Sequence, residues 1–529
     1  MLQTKNYKDF VIVDENDNII KEFSGARLAN KALPGDKVEI TETGCKLIER
    51  VEHPMLAGLI ELNSKTKYGF TSHNKPIYLF NPFNESYPPF VVGCGHRDTT
   101  KNRLALIKFD TWIDTFPRGN LQHLLDEGAD EQALFWNYTP YACEKYKGDL
   151  PESVLDKPNY TNKPKLKAFN IDPPDCRDVD DVLTIEYQDT KTYIIITISD
   201  VATQIPQGHP LDIRAQKIGQ TFYQDGNKPC HVFPKEMSED RLSLLPSETY
   251  RPGLSLKFAL EDPTNVIWFE SLVQTTQTFT YDTVYENESI CTCLKRMAEA
   301  LGEPTEDSHV WIEIAMKFYN QEAAKILKKQ KAGFLRCHDK PNSEKLETLM
   351  KINPDLKFLA FSSADYVLAG VENPFHYGLQ TQYYTHATSP IRRYADLVNQ
   401  RVIKAFINNE LLQSIHVKPN YLNYISKQAK RHDRDLTFIR SLKSASVNRV
   451  NGQILTITYN DTIAKITIYI PQWQFTVKLR YKLGNTPNEI ISKDETSRHI
   501  IEVGQHVCIQ YHADMTARSW KKRMVFRLL

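Results

Sequence analysis

The chain has no long apolar run, no CxxC pair and no surplus of either charge. Its longest strongly apolar stretch, YIIITI at 193–198, has the length of a buried strand, far short of the roughly 20 residues of a membrane-spanning helix. The opening MLQTKNYKDF lacks the basic-then-apolar order of a secretory leader. Nine cysteines are scattered without CxxC or histidine-paired spacing, which argues against a zinc site and points to a reducing compartment. There is no convincing internal repeat or low-complexity tract. Lys and Arg, at 66, nearly cancel Asp and Glu, at 65, so the net charge of +1 says nothing about partners until it is resolved by segment. The expectation is a soluble, monomeric, cytoplasmic protein with no membrane partner.

What is present divides the chain. At 529 residues and 41% hydrophobic, it can hold roughly three or four domains with their own cores. To about residue 130, short β-type segments such as DFVIVDE, DKVEITE, AGLIEL and LALIKF alternate with turn signals, the pattern of two small antiparallel barrels, 1–50 and 51–145. Residues 146–167, with Pro151, Pro158 and Pro164 among lysines, read as a linker. Residues 168–443 mix strands with helical patterns, including WIEIAMKFYNQEAAKILKK and YADLVNQRVIKAFI, and form the one segment large enough for an enzyme core. The last piece, 445–529, returns to strands and carries 12 Lys/Arg against 6 Asp/Glu, a net +6 that suits a nucleic-acid-binding barrel.

NIDPPDCRDVDDVL, residues 170–183, places Asp172, Asp175, Asp178, Asp180 and Asp181 within ten positions. If Asp172, Asp178, Asp180 and Asp181 converge, they form six like-charge pairs, each costing on the order of 3 kcal/mol at about 5 Å and an effective dielectric of about 20. A marginally stable domain does not absorb that. Either protons or cations must be bound, and oxygen-only ligands favour Mg²⁺ or Mn²⁺ together with substrate phosphate. A solvated acidic turn remains an alternative. An EF-hand loop fits poorly, because Asp181 stands where its sharp turn needs Gly.

YYTHATSPIRRYADLVNQR, residues 383–401, supplies a complement. Ser389 reads as an N-cap, Pro390 as the first helical residue, and Arg392 and Arg393 fall in the first turn, where the helix dipole already favours an anion. The bland alternative is a capped helix whose Arg392 pairs with Asp396.

These stretches resemble the ribonuclease II/ribonuclease R exoribonucleases. IDPPDCRDVDDVL, ITISDVATQIPQGHPLDIRAQKIGQTFY, VFPKEMSEDRLSLLP, NQEAAKIL with FLRCHDKP, and HYGLQTQYYTHATSPIRRYADL follow in the family's order over about 270 residues. The resemblance implies an α+β multidomain fold: N-terminal OB-like cold-shock β-barrels, a central mixed α/β RNB catalytic domain and a C-terminal S1-type OB barrel. It implies metal-dependent, processive 3′→5′ hydrolysis of single-stranded RNA to nucleoside 5′-monophosphates. By motif position, Asp172 and Asp181 would hold the principal Mg²⁺ (or Mn²⁺), and Asp178 and Asp180 would organise a second metal and the attacking water. Asp180 would be the most sensitive carboxylate. Arg392 would contact the scissile phosphate, with Arg393 beside it, and Tyr223 would stack on the 3′-terminal base.

The sequence also departs from the family. Thr197 stands where many members have His, Val182 where Ala is usual, and Lys430 near the place of a bacterial active-site Glu. With no long segment ahead of the first barrel, the endonuclease domain of exosome-associated members is not expected. Two other functions compete: a non-catalytic RNA binder of the same architecture, against which all four aspartates and Arg392 are retained, and a different two-metal nuclease acting on DNA, which would leave the 383–401 stretch unexplained.

Overall fold

The computed structural model describes the chain except residues 16, 127, 140, 142–144, 156–157, 225–226, 445–447, 487, 493–494 and 515–523. The chain forms two compact units, residues 1–143 with 429–529, and residues 144–428. Among the described residues no helix is long and apolar enough to cross a membrane.

In the first unit, residues 56–124 close the expected barrel. The order around the ring is Arg118–Leu124, Phe90–Gly93, Ile77–Pro82, Leu56–Ile60 and Arg103–Phe109. Residues 1–50 depart from expectation, for their described strands make a three-stranded sheet (Leu2–Thr4, Asp9–Val13, Ile19–Ser24) and a hairpin (Lys37–Ile40, Cys45–Glu49) rather than a closed ring. Strands this short carry few ladder bonds, and they bury Leu2, Phe10, Leu33 and Cys45 in one core with Tyr78, Phe80 and Phe90 of the barrel. The C-terminal strands form a seven-stranded sheet over Ile454, Ile466, Ile468 and Trp473. On Phe475–Leu483, alternation buries Val477, Leu479 and Tyr481 and exposes Lys478, Arg480 and Lys482, so the basic charge of this segment has a solvated face. The start expected at 445, and Arg518, Lys521, Lys522 and Arg523, lie outside the described residues.

The second unit is built on another closed barrel. Its strands, Lys165–Ile171, Asp181–Gln188, Lys191–Ser199, Arg251–Ala259 and Asp262–Phe279, join in that order, and the first pairs parallel with the last. The expected linker therefore yields its last three residues to the barrel, and Tyr160 within it is buried, its hydroxyl 2.5 Å from Thr203 Oγ1. The apolar run predicted to be a buried strand is one: Ile194, Ile195, Ile196 and Ile198 are sealed in. Thr197 is buried too, and its hydroxyl joins those of Ser255 and Ser271 in a chain of 2.7 and 2.8 Å bonds. Helices Ser308–Gln330 and Tyr394–Asn408 match the two helical patterns, packing Trp311, Ala323 and Leu327 with Val402 and Ile403 into the same core. The helix expected to end near Lys443 spans Pro419–Ser444 and carries Lys430.

Lys404 links helix 394–408 to the barrel through Asp200, Thr203 and Glu270, the last at 2.6 Å, and Lys163 also pairs with Glu270. Burial pushes the Glu270 carboxyl up, but Lys404 and Lys163 outweigh it and hold it at about 2. Because that value lies below the unfolded one, the contribution, on the order of 3 kcal/mol, is complete above about pH 4.5 and disappears as pH falls through about 2. Denaturant unfolding of wild type and Glu270→Gln should show a gap of roughly 3 kcal/mol at pH 7 that closes in acid. Parallel stability curves would contradict the coupling.

Candidate active site

The acidic loop joins two barrel strands, leaving Ile171 and entering the next strand at Asp181, so its carboxylates stand on the barrel rim. Both ends are pinned. The Asp172 N–H donates to Phe279 O at 3.1 Å, and Asn170 Nδ2 donates to Asp172 Oδ2 at 2.7 Å. At the far end, Ser199 N–H donates to Asp180 O at 2.8 Å. Between them Ser243 clamps the backbone, its Oγ accepting from Val179 N–H at 3.0 Å and donating to Arg177 O at 2.8 Å. Rigid attachment on this scale is what holds like charges together.

Asp180 is only 3% exposed. Its Oδ1 accepts from Ile391 N–H at 2.8 Å and its Oδ2 from Arg392 Nε at 3.1 Å. Burial pushes its carboxyl well above the usual range, Arg392 and the Ile391 N–H oppose this, and Asp178 and Asp181 add to it. Burial works against the Arg392 charge as well, yet Asp180 and then Asp181 help to offset it and raise that pKa. The Arg392 side chain stays 43% exposed, able to meet a ligand.

The helix start differs from the sequence expectation. Residues 389–393 form a turn, Ser389 O accepting from Arg393 N–H at 2.9 Å, and the helix begins at Tyr394. Asp180 claims the Ile391 N–H that a helix at Pro390 would have offered to an anion. Arg393 is corrected as well: its Nε and Nη2 make a two-bond fork on buried Asp396, at 2.9 and 2.7 Å, so Arg393 rather than Arg392 pairs with Asp396. Segment 219–221 pairs beside this turn, Thr221 N–H donating to Arg392 O at 2.8 Å and Tyr394 N–H to Gly219 O at 2.9 Å. Gly219 has φ +79° and a Cβ there would meet Ile425 at 2.9 Å, so glycine is required.

That pairing delivers Tyr223 to the rim, 45% exposed, with its hydroxyl donating to Asp178 Oδ2 at 2.5 Å. Asp172 and Asp181 sense one another: burial first, and then Asp172, push the Asp181 carboxyl up, while Arg392 and Arg393 pull it back. Burial likewise raises Asp172 against the Asn170 amide and Arg392. The carboxylates thus gather near one partly available guanidinium, a set of oxygen donors short of positive charge, which suits a hard divalent cation. Among the described residues no group of three His, Cys, Asp or Glu side chains stands ready to hold a metal ion. Sequence reasoning missed Ser243, the Ile391 N–H and His231, whose Nδ1 lies 3.9 Å from Asp178 Oδ2. None has a spacing signal, because each reaches the loop from a different part of the chain.

The RNB domain family matches residues 161–289 and 286–409, the stretch containing the acidic loop, Tyr223 and Arg392. Residues 161–409, the central part of this chain, are thereby identified as an RNB domain. Human exosome complex exonuclease RRP44 is 22% identical over 553 residues, covering 83% of this chain and 57% of that protein, and ribonuclease R of Helicobacter pylori is 24% identical over 360 residues, covering 53% and 55%. The chain spans about half the length of the curated relatives it matches. Mycoplasma genitalium RNase R in complex with ribose-methylated single-stranded RNA superposes over 100% of this RNB-domain protein and 99% of that chain, with a TM-score of 0.72 at 15% identity. Yeast Ssd1, a pseudonuclease, covers 93% and 81% with a TM-score of 0.65 at 14% identity. The expected α+β multidomain architecture, with closed barrels and a mixed central domain, is thereby borne out, the open strands of residues 1–50 excepted.

Crowded, buried carboxylates should destabilise the protein when no divalent ion is bound. Asp172→Asn keeps an acceptor for the Asn170 amide while removing one like charge, so without divalent ions its thermal midpoint should rise by roughly 2–4 °C, about 1 kcal/mol. Calorimetry with and without Mg²⁺ checks this: Mg²⁺ should favour wild type and narrow the difference, and a lower midpoint in the metal-free variant would contradict it.

Proposed function

We propose that this RNB-domain protein is a divalent-metal-dependent 3′→5′ exoribonuclease that processively hydrolyses single-stranded RNA to nucleoside 5′-monophosphates. The observation that carries the reading is the buried Asp180–Arg392 contact, which sets a partly exposed guanidinium beside carboxylates that lack counter-charge. Asp172 and Asp181 would hold the principal Mg²⁺ or Mn²⁺, with Asp178 and Asp180 on a second. Such an ion, when bound, supplies a water acidic enough to act as nucleophile and offsets charge on the scissile phosphate.

The chain's own residues do the rest. Arg392, steadied by Asp180 through Nε, directs its fork at phosphate oxygens, where bidentate contact stabilises charge developing in the transition state. Asp180 holds that guanidinium and the Ile391 N–H in place. The exposed ring of Tyr223 can stack on the terminal base, worth about 1–3 kcal/mol and indifferent to sequence. Arg393, committed to Asp396, fixes the turn that carries Arg392. The basic face of 475–483 would track RNA phosphates. The cysteines among the described residues are all free, which suits action in a reducing compartment such as the cytoplasm, as a monomer.

A second reading, an RNA-binding protein without catalysis, draws on the fold shared with the pseudonuclease. Incubation with 5′-labelled single-stranded RNA and Mg²⁺ separates the two: a ladder shortening from the 3′ end supports the enzyme, and bound but intact RNA supports the binder. Asp180→Asn should cut mononucleotide release by at least roughly 10²–10³-fold while RNA binding persists. Retained hydrolysis would reject the assignment. Removing residues after about 445 should weaken RNA binding and flatten its salt dependence, since fewer phosphate contacts release fewer counterions. An unchanged salt slope would count against the basic face.

A further inference from the structure

His231 is 8% exposed, and the two sides of its ring have different surroundings. Nε2–H donates to Glu239 Oε1 at 3.0 Å. A carboxylate only accepts, so Nε2 carries the proton of that bond, and in the neutral ring Nδ1 is left with a lone pair. Nδ1 is buried without a hydrogen-bond partner, and it faces Asp178 Oδ2 at 3.9 Å. That gap is too long for a hydrogen bond. It is also short for a bridging water, since two hydrogen bonds of about 2.8 Å at a tetrahedral angle spread their partners to about 4.6 Å. Adjacent ligand atoms on one octahedral ion at about 2.2 Å stand roughly 3.1 Å apart, so from 3.9 Å the two groups need close by only about 0.8 Å to share one.

We propose that His231 Nδ1 is a nitrogen ligand which, with Asp178, forms a divalent-metal position at the edge of the acidic rim and biases it toward Mn²⁺ over Mg²⁺. The inference rests on the metal-dependent reading of that rim. Glu239 occupies the place of the carboxylate that commonly orients a metal-binding imidazole through its other ring nitrogen. The ring cannot drift, because Val232 and Phe233 beside it are buried and Ser243, further along the segment, is bonded to both Val179 and Arg177 of the acidic loop. Nitrogen favours Mn²⁺, since Mg²⁺ is a hard ion that prefers oxygen and keeps its waters. With no third His, Cys, Asp or Glu side chain in place among the described residues, water and RNA phosphate would fill the other positions. Because Asp178 Oδ2 also accepts the Tyr223 hydroxyl, entry of the ion displaces that bond.

The test is binding of metal alone, without RNA. Free Mn²⁺ is followed by electron paramagnetic resonance and Mg²⁺ binding by calorimetry, for wild type, His231→Phe and Glu239→Gln, with circular dichroism confirming the fold. His231→Phe should lose at least tenfold in Mn²⁺ affinity while Mg²⁺ binding stays within about twofold, and Glu239→Gln should lose Mn²⁺ affinity several-fold. If His231→Phe does not fold, Glu239→Gln decides: unchanged Mn²⁺ affinity overturns the proposal, as does unchanged affinity in a folded His231→Phe. A wild type that binds neither ion would instead sink the metal-dependent function itself.

Discussion

The structure of the second unit turns on a shortage of positive charge at a barrel rim. Asp172, Asp180 and Asp181 share the field of Arg392, with Asp178 in the same loop, while the neighbouring arginine is already committed to Asp396. A loop free to relax would splay its aspartates into water, where each could be solvated. Here the barrel strands, the Ser243 clamp and the Ile391 N–H forbid that, and burial rather than mutual repulsion is the largest influence raising Asp172, Asp180 and Asp181. The fold's stability elsewhere offsets this local cost, which bound cations would relieve.

Buried polar groups with hydrogen-bond partners tie this site to its surroundings. Gln400 joins helix 394–408 to the strand that ends beside Asp180, donating to Ser199 O at 2.7 Å and accepting from Ala202 N–H at 2.9 Å. Asn399 does the same for Phe334, and Lys404 for Asp200 and Glu270. The helix that begins just after Arg392 is therefore registered against the barrel by directional bonds as well as by apolar packing. Directional bonds matter here because a guanidinium displaced by about 1 Å would lose most of its effect on a transition state.

The acidic loop was legible because its information is local: five aspartates in ten residues state an electrostatic problem that only a few chemistries solve. The helices at 308–330 and 394–408 were legible because apolar spacing at the helical period extends over many turns. The turn at 389–393 was misread for an equally physical reason. Ser-Pro is a good helix start by local preference, but Asp180, over 200 residues away in sequence, requires the Ile391 N–H, and a buried carboxylate outweighs a cap. The first fifty residues show the same limit, since alternating strands there announce a sheet without saying whether its edges meet. His231 gave no signal at all, its partners lying 8 and 53 positions away at spacings that no motif marks.

A crystal of the protein with Mn²⁺ and a non-hydrolysable single-stranded RNA tests the central claim most directly. The account predicts anomalous density between Asp172 and Asp181, at about 2.2 Å from their oxygens, with the phosphate linking the RNA's last two nucleotides between the metal and Arg392. Carboxylates without metal density, or RNA whose 3′ end lies elsewhere, would contradict it.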